Sequence, residues 1–154
     1  MEFEKLKADD NIRDIIKSAF DADLNIDGNW GYIQEEATVL KEINVSILQA
    51  QHTLISMRSY VEMNMTLAKE NRYGSINVIE KSREKIEIDN LIYHKILYSV
   101  SAMREDIYAD FINEYKANYG KSDFDMGEHF DKRKEATINR EVLYWFEISK
   151  VKEI

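Results

Sequence analysis

The longest regular pattern of apolar positions in the chain runs from Ile33 to Asn71. Apolar residues recur there at gaps of three or four positions, which places them on one stripe of a helix: Ile33, Ala37, Leu40, Ile43, Ile47, Ala50, Leu54, Met57, Val61, Met65 and Ala68. Further apolar residues lie off that stripe, and Arg58 is the one formally charged residue between Ile43 and Val61. A helix that is apolar on several sides is normally covered on several sides. The pattern therefore predicts a long central helix over 33–71.

Shorter helices are predicted before and after this segment. Residues 9–22 carry an apolar face at helical spacing, with Asp9 or Asp10 as the cap. Residues 101–118 do the same, with Ser101 as the cap and two acids in the first turns. A weaker cap signal at 122–125 predicts one more helix that ends near Thr137.

Residues 75–100 fit either a helix or strands. As strands, Lys85–Ile88 and Leu91–Val100 flank a tight turn at Asp89-Asn90, and the density of Ile, Tyr, Leu and Val favours this interpretation. If the segment is instead a helix, its apolar residues recur seven positions apart. The apolar run at 142–146 predicts a last strand with these residues facing inward: Val142, Tyr144, Phe146 and Ile148.

Together these elements predict one domain over 1–154 with a helix-rich α+β fold. One long central helix would be packed by further helices and by a small antiparallel sheet, and an all-α helical bundle is the alternative. The chain has 154 residues, 44% of them hydrophobic, which is enough to bury a core.

Charge and composition narrow the classes of function. The net charge of −8 argues against nucleic acid as a partner, because an acidic chain repels phosphate. No apolar run is long enough for a membrane span, so no membrane association is expected. The alternating charges at residues 2–5 do not resemble an export signal, and we expect a cytoplasmic location. Cysteine is absent, which excludes disulfides and thiolate chemistry.

The most distinctive local sequence is residues 23–30. Asp27-Gly28 between apolar residues predicts a hairpin turn that pairs Leu24–Ile26 with Trp30–Tyr32. The same residues resemble the first half of an EF-hand-type or dockerin-type calcium loop, with Asp23, Asn25 and Asp27 as the ligands. The twelfth position of such a loop, over 23–34, is Gln34 where the family has a glutamate. The sequence therefore leaves two interpretations of residues 23–34, a structural turn and a calcium site. No cofactor other than this calcium is predicted.

No catalytic constellation is specific in the sequence. Glycine-rich phosphate loops, G-x-S-x-G and H-E-x-x-H are absent. A small enzyme with a site around His94 or His129 remains the weakest hypothesis, because catalytic groups can converge only in the fold.

The hypothesis that fits best is a non-catalytic protein-binding module of the chaperone, adaptor or inhibitor type. It rests on the surplus of apolar and aromatic residues in the central helix and in the tail. The candidate contacts with a protein partner, or with a second copy in a homodimer, are Met57, Met63, Tyr144 and Trp145. The alternative is the calcium-binding module.

Overall fold

The structure, a computed structural model, describes residues 3–7 and 11–153. Within these ranges the chain forms an α+β fold of four α-helices and a five-stranded mixed sheet, and the strands dominate the packing. The predicted helix-rich fold around one long helix is therefore wrong, and so is the all-α bundle.

The elements of the described chain have the following bounds. The helices are α1 (Ile12–Phe20), α2 (Ile47–Tyr60), α3 (Glu105–Asn118) and α4 (Met126–Ala136). The strands are β1 (Ile26–Gly28), β2 (Thr38–Leu40), β3 (Glu42–Ile43), β4 (Tyr73–Ile88), β5 (Leu91–Arg104), β6 (Ile138–Glu147) and β7 (Lys152–Glu153). A π-helical segment, Val61–Met65, continues α2, and single 3₁₀ turns lie at Gln34–Glu36 and Lys69–Asn71.

The main sheet has the strand order β1-β2-β6-β5-β4. Long antiparallel ladders join β4 to β5 and β5 to β6, whereas β2 pairs with β6 in parallel over two residues only. Strands β3 and β7 form a separate parallel pair. Strand β6 therefore joins the early part of the chain to the β4–β5 hairpin.

The predicted tight turn between β4 and β5 is confirmed. Asp89 and Asn90 both have positive φ, at 52° and 67°, as a two-residue hairpin turn of the I′ kind requires. Asn tolerates this region and Asp does so less well, because their short polar side chains bond locally to the backbone. The strand interpretation of 75–100 was thus the right one of the two.

The segment 33–71 breaks into several elements because its first third is extended. Thr38 and Leu40 are buried while Val39 between them is half-buried, which is the alternation of a strand. Ser46 then caps α2, since its Oγ accepts a hydrogen bond from the N–H of Gln49. The three- and four-residue spacing before Ser46 was therefore not helical.

Helix α2 and the π segment bury a single mixed stripe against the sheet. Its fully or nearly fully buried members are Gln51, Leu54, Ile55, Arg58, Ser59, Glu62, Met63 and Asn64. Other apolar residues of the predicted all-round surface, such as Leu48 and Tyr60, are exposed. The helix is covered on one side, and polar groups share the covered side with apolar ones.

The remaining predictions have mixed outcomes. Asn11 caps α1, and Asp9 and Asp10 lie outside the described residues. Helix α3 begins at Glu105 rather than at 101, because Ser101 still pairs with Asn139 in the β5–β6 ladder. The helix expected to end near Thr137 is confirmed as α4. The strand predicted around 142–146 is confirmed as β6, which ends at Glu147, before Ile148, and is followed by the short strand β7.

The hairpin predicted across Asp27-Gly28 is wrong. Strand β1 includes both residues and pairs with β2, with Asp27 opposite Val39, so the connection between the two strands spans residues 29–37. The positive φ of Gly28 occurs at the end of a strand rather than inside a two-residue turn.

Candidate functional site

Arg58 is a fully buried arginine at the centre of the fold. Its guanidinium donates hydrogen bonds to the carbonyl of Trp30 at 3.0 Å and to the carbonyl of Leu143 at 2.8 Å. The rings of Tyr32 and Tyr144 lie on it, each with its centroid 4.4 Å from Cζ. Burial lowers the pKa of Arg58, yet an arginine stays protonated in proteins. Arg58 thus joins α2, the β1–β2 connection and β6 through one cation.

Glu62 provides the negative charge beside this arginine. Its carboxylate is almost completely buried. It accepts a hydrogen bond from the Tyr32 hydroxyl at 2.5 Å and forms an ion pair with the Arg140 guanidinium at 3.2 Å. Burial first, and then the charge of Glu62, raise the pKa of Tyr32, so its hydroxyl stays a donor. These three side chains satisfy one another across the face of the sheet.

Tyr144 extends the network toward β2. Its hydroxyl lies 2.6 Å from Oγ1 of Thr38, which donates to the carbonyl of Asn29. Burial raises the pKa of Tyr144 to about 12. The Tyr144 ring also requires Gly31 beside it, because a Cβ at Gly31 would lie 2.3 Å from that ring. The network therefore holds the β1–β2 connection close against β6.

An open cleft of about 480 Å³ lies beside the network. One wall comes from residues 3–5 and another from Arg140 to Leu143 of β6. Tyr32, Arg58 and Glu62 complete the lining. A volume of this size is within the usual range for ligand sites in proteins.

Strand β6 presents unpaired main-chain groups at this cleft. The N–H of Trp145 bonds to the carbonyl of Gly31, and the carbonyl of Leu143 accepts from Arg58, so both residues direct their main-chain groups away from β5. Successive residues of an antiparallel ladder alternate in this direction. The N–H and C=O groups of Asn139 and Glu141 therefore also point outward, and the described residues provide no partner for them.

The chemistry of the cleft favours binding over catalysis. Of its buried titratable groups, Tyr32 and Arg140 are both bound to Glu62. The groups left open are main-chain groups of β6 and the exposed side chains of Lys5 and Glu141. Unpaired main-chain groups in a row are the surface to which an extended polypeptide adds as a strand.

The partner contacts predicted from the sequence lie in different places. Met63 and Tyr144 are fully buried in the core, so neither side chain is available to a partner in this structure. Met57 packs partly buried against that core. Trp145 is half-buried on the opposite face of the sheet. The centroids of the Trp145 and Tyr93 rings are 6.2 Å apart, and the ammonium of Lys95 lies 5.4 Å from the centroid of the Trp145 ring.

The predicted calcium ligands are engaged with basic side chains. Asp23 pairs with Arg13 at 2.7 Å, and Asp27 pairs with Lys41 at 3.0 Å. These partners hold the pKa of each carboxyl below its usual value. Across residues 3–7 and 11–153, no three His, Cys, Asp or Glu side chains form a group that could hold a metal ion. Calcium binding at Asp23, Asn25 and Asp27 stays a prediction, and it requires calcium to displace both bases.

The two histidines of the enzyme hypothesis have separate surroundings. His94 lies under α2, where Nδ1 is 2.9 Å from Nε2 of Gln51 and 3.5 Å from Nη1 of Arg83. His129 is buried between α3 and α4, with Nδ1 3.4 Å from Glu114. Four aromatic rings surround it: Phe111, Tyr115, Phe124 and Phe130. The structure does not bring the two histidines together.

Sequence reasoning missed the Arg58 network. One signal was present, since Arg58 is an isolated charge in a low-charge segment, and such a charge, if buried, needs partners. The pairing of Glu62 with Arg140 joins residues 78 positions apart, and no local pattern marks it.

Comparisons with known proteins do not assign the chain to a family. A scan against family models, a search of curated proteins and a search of solved structures find no match. Among the helices that the structure describes, none is long and apolar enough to cross a membrane. The geometry of the cleft therefore carries the argument for function.

Proposed function

We propose that the protein binds an extended segment of a partner polypeptide, which adds as a strand to the outer edge of β6. The observation that carries this proposal is that the outward main-chain groups of Glu141, which lines the cleft, and of Asn139, further along β6, have no partner among the described residues. The protein would act as a chaperone, adaptor or inhibitor in the cytoplasm, and no chemical step is required of it.

The sheet leaves a place for such a strand. Strand β2 pairs with β6 only at Phe146 and Glu147, and Gly31 continues that contact to Trp145. From Leu143 back to Ile138 the same edge of β6 has no neighbouring strand in the described chain. A partner strand would lie in line with β2 and fill this position, with main-chain hydrogen bonds as the source of affinity.

The opposite edge of the sheet is protected against such pairing. The outer half of β4 alternates in charge along the edge, with Lys81, Arg83, Glu84, Lys85 and Glu87. Charged side chains on an edge strand discourage the addition of another strand. The β6 residues that line the cleft are instead Val142, Leu143, Arg140, which is paired with Glu62, and a single exposed charged residue, Glu141. The contrast favours β6 as the edge that binds.

Proline at position 141 tests this proposal. Because the N–H of Glu141 points away from β5, Glu141→Pro removes an outward donor and leaves the β5–β6 ladder intact. Random ten-residue peptides displayed on phage are selected on the wild-type protein, and the best is then titrated against each variant. We expect Glu141→Pro to bind it about fivefold more weakly, since one hydrogen bond is worth about 1 kcal/mol.

Glu141→Ala is the matched control, because it removes the side chain and keeps the N–H. It should bind the selected peptide like the wild type. Amide hydrogen exchange of the wild-type protein provides a second measurement, in which the peptide should slow exchange at Glu141 and Leu143. Equal binding by the proline and alanine variants without such protection would contradict the proposal, as would the failure of the library to yield a peptide.

A further inference from the structure

Residues 3–7, here called the N-terminal strap, lie across one side of the cleft of about 480 Å³ beside β6, here called the β6 cleft. The ring of Phe3 packs edge-on against Tyr73 at 5.4 Å, and the guanidinium of Arg140 lies 4.7 Å from the same ring. Phe3 therefore occupies a slot between Tyr73, the first residue of β4, and Arg140 near the start of β6.

Lys5 and Leu6 make the next contacts of the strap, both of them with Tyr32. The ammonium of Lys5 lies 5.7 Å from the centroid of the Tyr32 ring, and the N–H of Leu6 donates to the Tyr32 hydroxyl at 3.0 Å. That hydroxyl is bound to buried Glu62, so a positive charge is favoured above the ring. The side chains of Phe3 and Leu6 are half-buried, and those of Glu4, Lys5 and Lys7 are exposed.

The strap is loosely held in comparison with the rest of the fold. It has no regular secondary structure, and it makes one main-chain hydrogen bond to the described residues, from Leu6. Clefts of about 480, 320 and 330 Å³ all have strap residues in their lining. Protein interiors are normally close-packed, so a segment bordered by three clefts has surface left to be filled.

We propose that the strap is an internal ligand of the β6 cleft, and that a partner segment with the same side-chain pattern displaces it. The pattern is aromatic, any residue, basic, aliphatic, as in Phe3-Glu4-Lys5-Leu6. The aromatic residue takes the slot between Tyr73 and Arg140, and the basic residue lies over Tyr32. This inference rests on the proposed function, and it adds the chemistry of the partner and the means of regulation.

The strap remains bound in the cleft despite its few contacts because it is covalently attached to the rest of the chain. A segment on a short linker has an effective concentration in the millimolar range, so weak contacts suffice to keep it bound. A partner that needs the same place binds only the fraction of molecules with the strap released, and its apparent affinity falls by that fraction. Removal of the strap should therefore strengthen binding.

The test uses the strap sequence itself as the probe. A fluorescent peptide with the sequence of residues 1–8, MEFEKLKA, is titrated against the full chain and against a variant that lacks residues 1–7, with anisotropy as the measurement. We expect the shortened variant to bind the peptide at least tenfold more tightly than the full chain. The same peptide with Phe3→Ala and Lys5→Ala is the control and should bind neither protein.

A second variant covers the case in which the shortened chain does not fold. The full chain with Phe3→Ala and Lys5→Ala keeps its length and loses both ring contacts, and it should likewise bind the unchanged peptide more tightly than wild type. Equal affinities of the variants and the wild type, or no binding by any of them, would overturn the inference.

The phage-selected peptide separates this inference from the proposed function. If Glu141→Pro weakens binding of that peptide and removal of the strap weakens it too, the strap is a wall of the cleft and the inference fails alone. If Glu141→Pro has no effect, the proposed function fails and the inference fails with it. If removal of the strap strengthens binding and Glu141→Pro weakens it, both proposals stand.

Discussion

Arg58 holds three segments of the chain together through its side chain alone. Two carbonyls, at Trp30 and Leu143, accept its hydrogen bonds, and two tyrosine rings enclose its planar group. The bond to the Trp30 carbonyl is buried, so without Arg58 that carbonyl would be a buried acceptor with no partner among the described residues. The planar, delocalised cation matches both the carbonyls and the rings, and a lysine matches neither as well.

Arg58→Lys should lower the free energy of unfolding by about 3 kcal/mol, because it retains a buried charge while it loses a hydrogen bond and both stacked rings. Urea unfolding followed by fluorescence measures this change. Arg13→Lys, at an exposed ion pair, is the control and should leave the midpoint unchanged. A midpoint for Arg58→Lys equal to that of wild type would mean that the network does not stabilise the fold.

At the scale of elements, helices α3 and α4 form an insertion in a β-hairpin. Strands β5 and β6 pair from Tyr93–Glu147 to Ala102–Ile138, and the two helices fill the chain between their ends. No side chain of α3 is fully buried, and His129 is the buried residue of α4, enclosed by rings from the insertion itself. The insertion therefore has a small core of its own.

Replacement of residues 107–135 by Asn-Gly should leave the sheet folded. The new connection from the end of β5 to the start of β6 would consist of Glu105, Asp106, Asn, Gly, Ala136 and Thr137, and a loop of this length readily joins antiparallel neighbours. Glu105 is kept because its N–H bonds to the carbonyl of Arg72 and its carboxylate accepts from Asn64. We expect cooperative thermal unfolding and slow amide exchange at Ile96 and Val100. Loss of that protection would show that the insertion supports the sheet.

The elements also show how far sequence pattern reaches. The turn at Asp89-Asn90, the strand at β6 and the helices α3 and α4 follow from local signals, and the structure contains them. The long helix failed because Thr38 to Ile43 is apolar at helical spacing by coincidence, while its strands are set by pairing with β6 and β7. Pairing across so many residues has no local signature.

At the scale of the whole molecule, the candidate site is the part that sequence predicted least. Met63 and Tyr144 were chosen for their apolar character, and both form core instead. The cleft is assembled from residues 3–5, Tyr32, α2 and β6, and its open groups are main-chain atoms, which every sequence has. An unpaired strand edge becomes visible only once the neighbours of that strand are known.

The dependence of global stability on pH has one identifiable contributor in His94. Burial first, and then the charges of Arg83 and Lys85, lower its pKa below the ordinary 6.5, while Glu80 acts in the opposite direction. The folded state therefore keeps His94 neutral where the unfolded chain takes up a proton. Stability is unaffected by His94 above pH 6.5 and falls as the pH drops below that value.

His94→Gln should make this fall shallower. Glutamine can still accept the hydrogen bond from Gln51, and it does not titrate. Urea unfolding between about pH 7 and pH 5 is the measurement. His52→Gln, at an exposed histidine, is the control and should follow the wild-type curve. Parallel curves for His94→Gln and wild type would contradict the assignment.

The late position of β6 in the chain has a consequence for biosynthesis. Thr38 and Tyr144, whose hydroxyls meet in the core, are separated by 106 positions, so a ribosome releases the first long before it makes the second. During that interval β2 lacks its neighbour β6, and Arg58 on α2 lacks the Leu143 carbonyl, one of its two hydrogen-bond acceptors. The nascent chain should therefore expose an unpaired strand edge and apolar surface for roughly 5 to 20 s at ordinary elongation rates, and its yield in cells should depend on chaperones that bind unfolded chains.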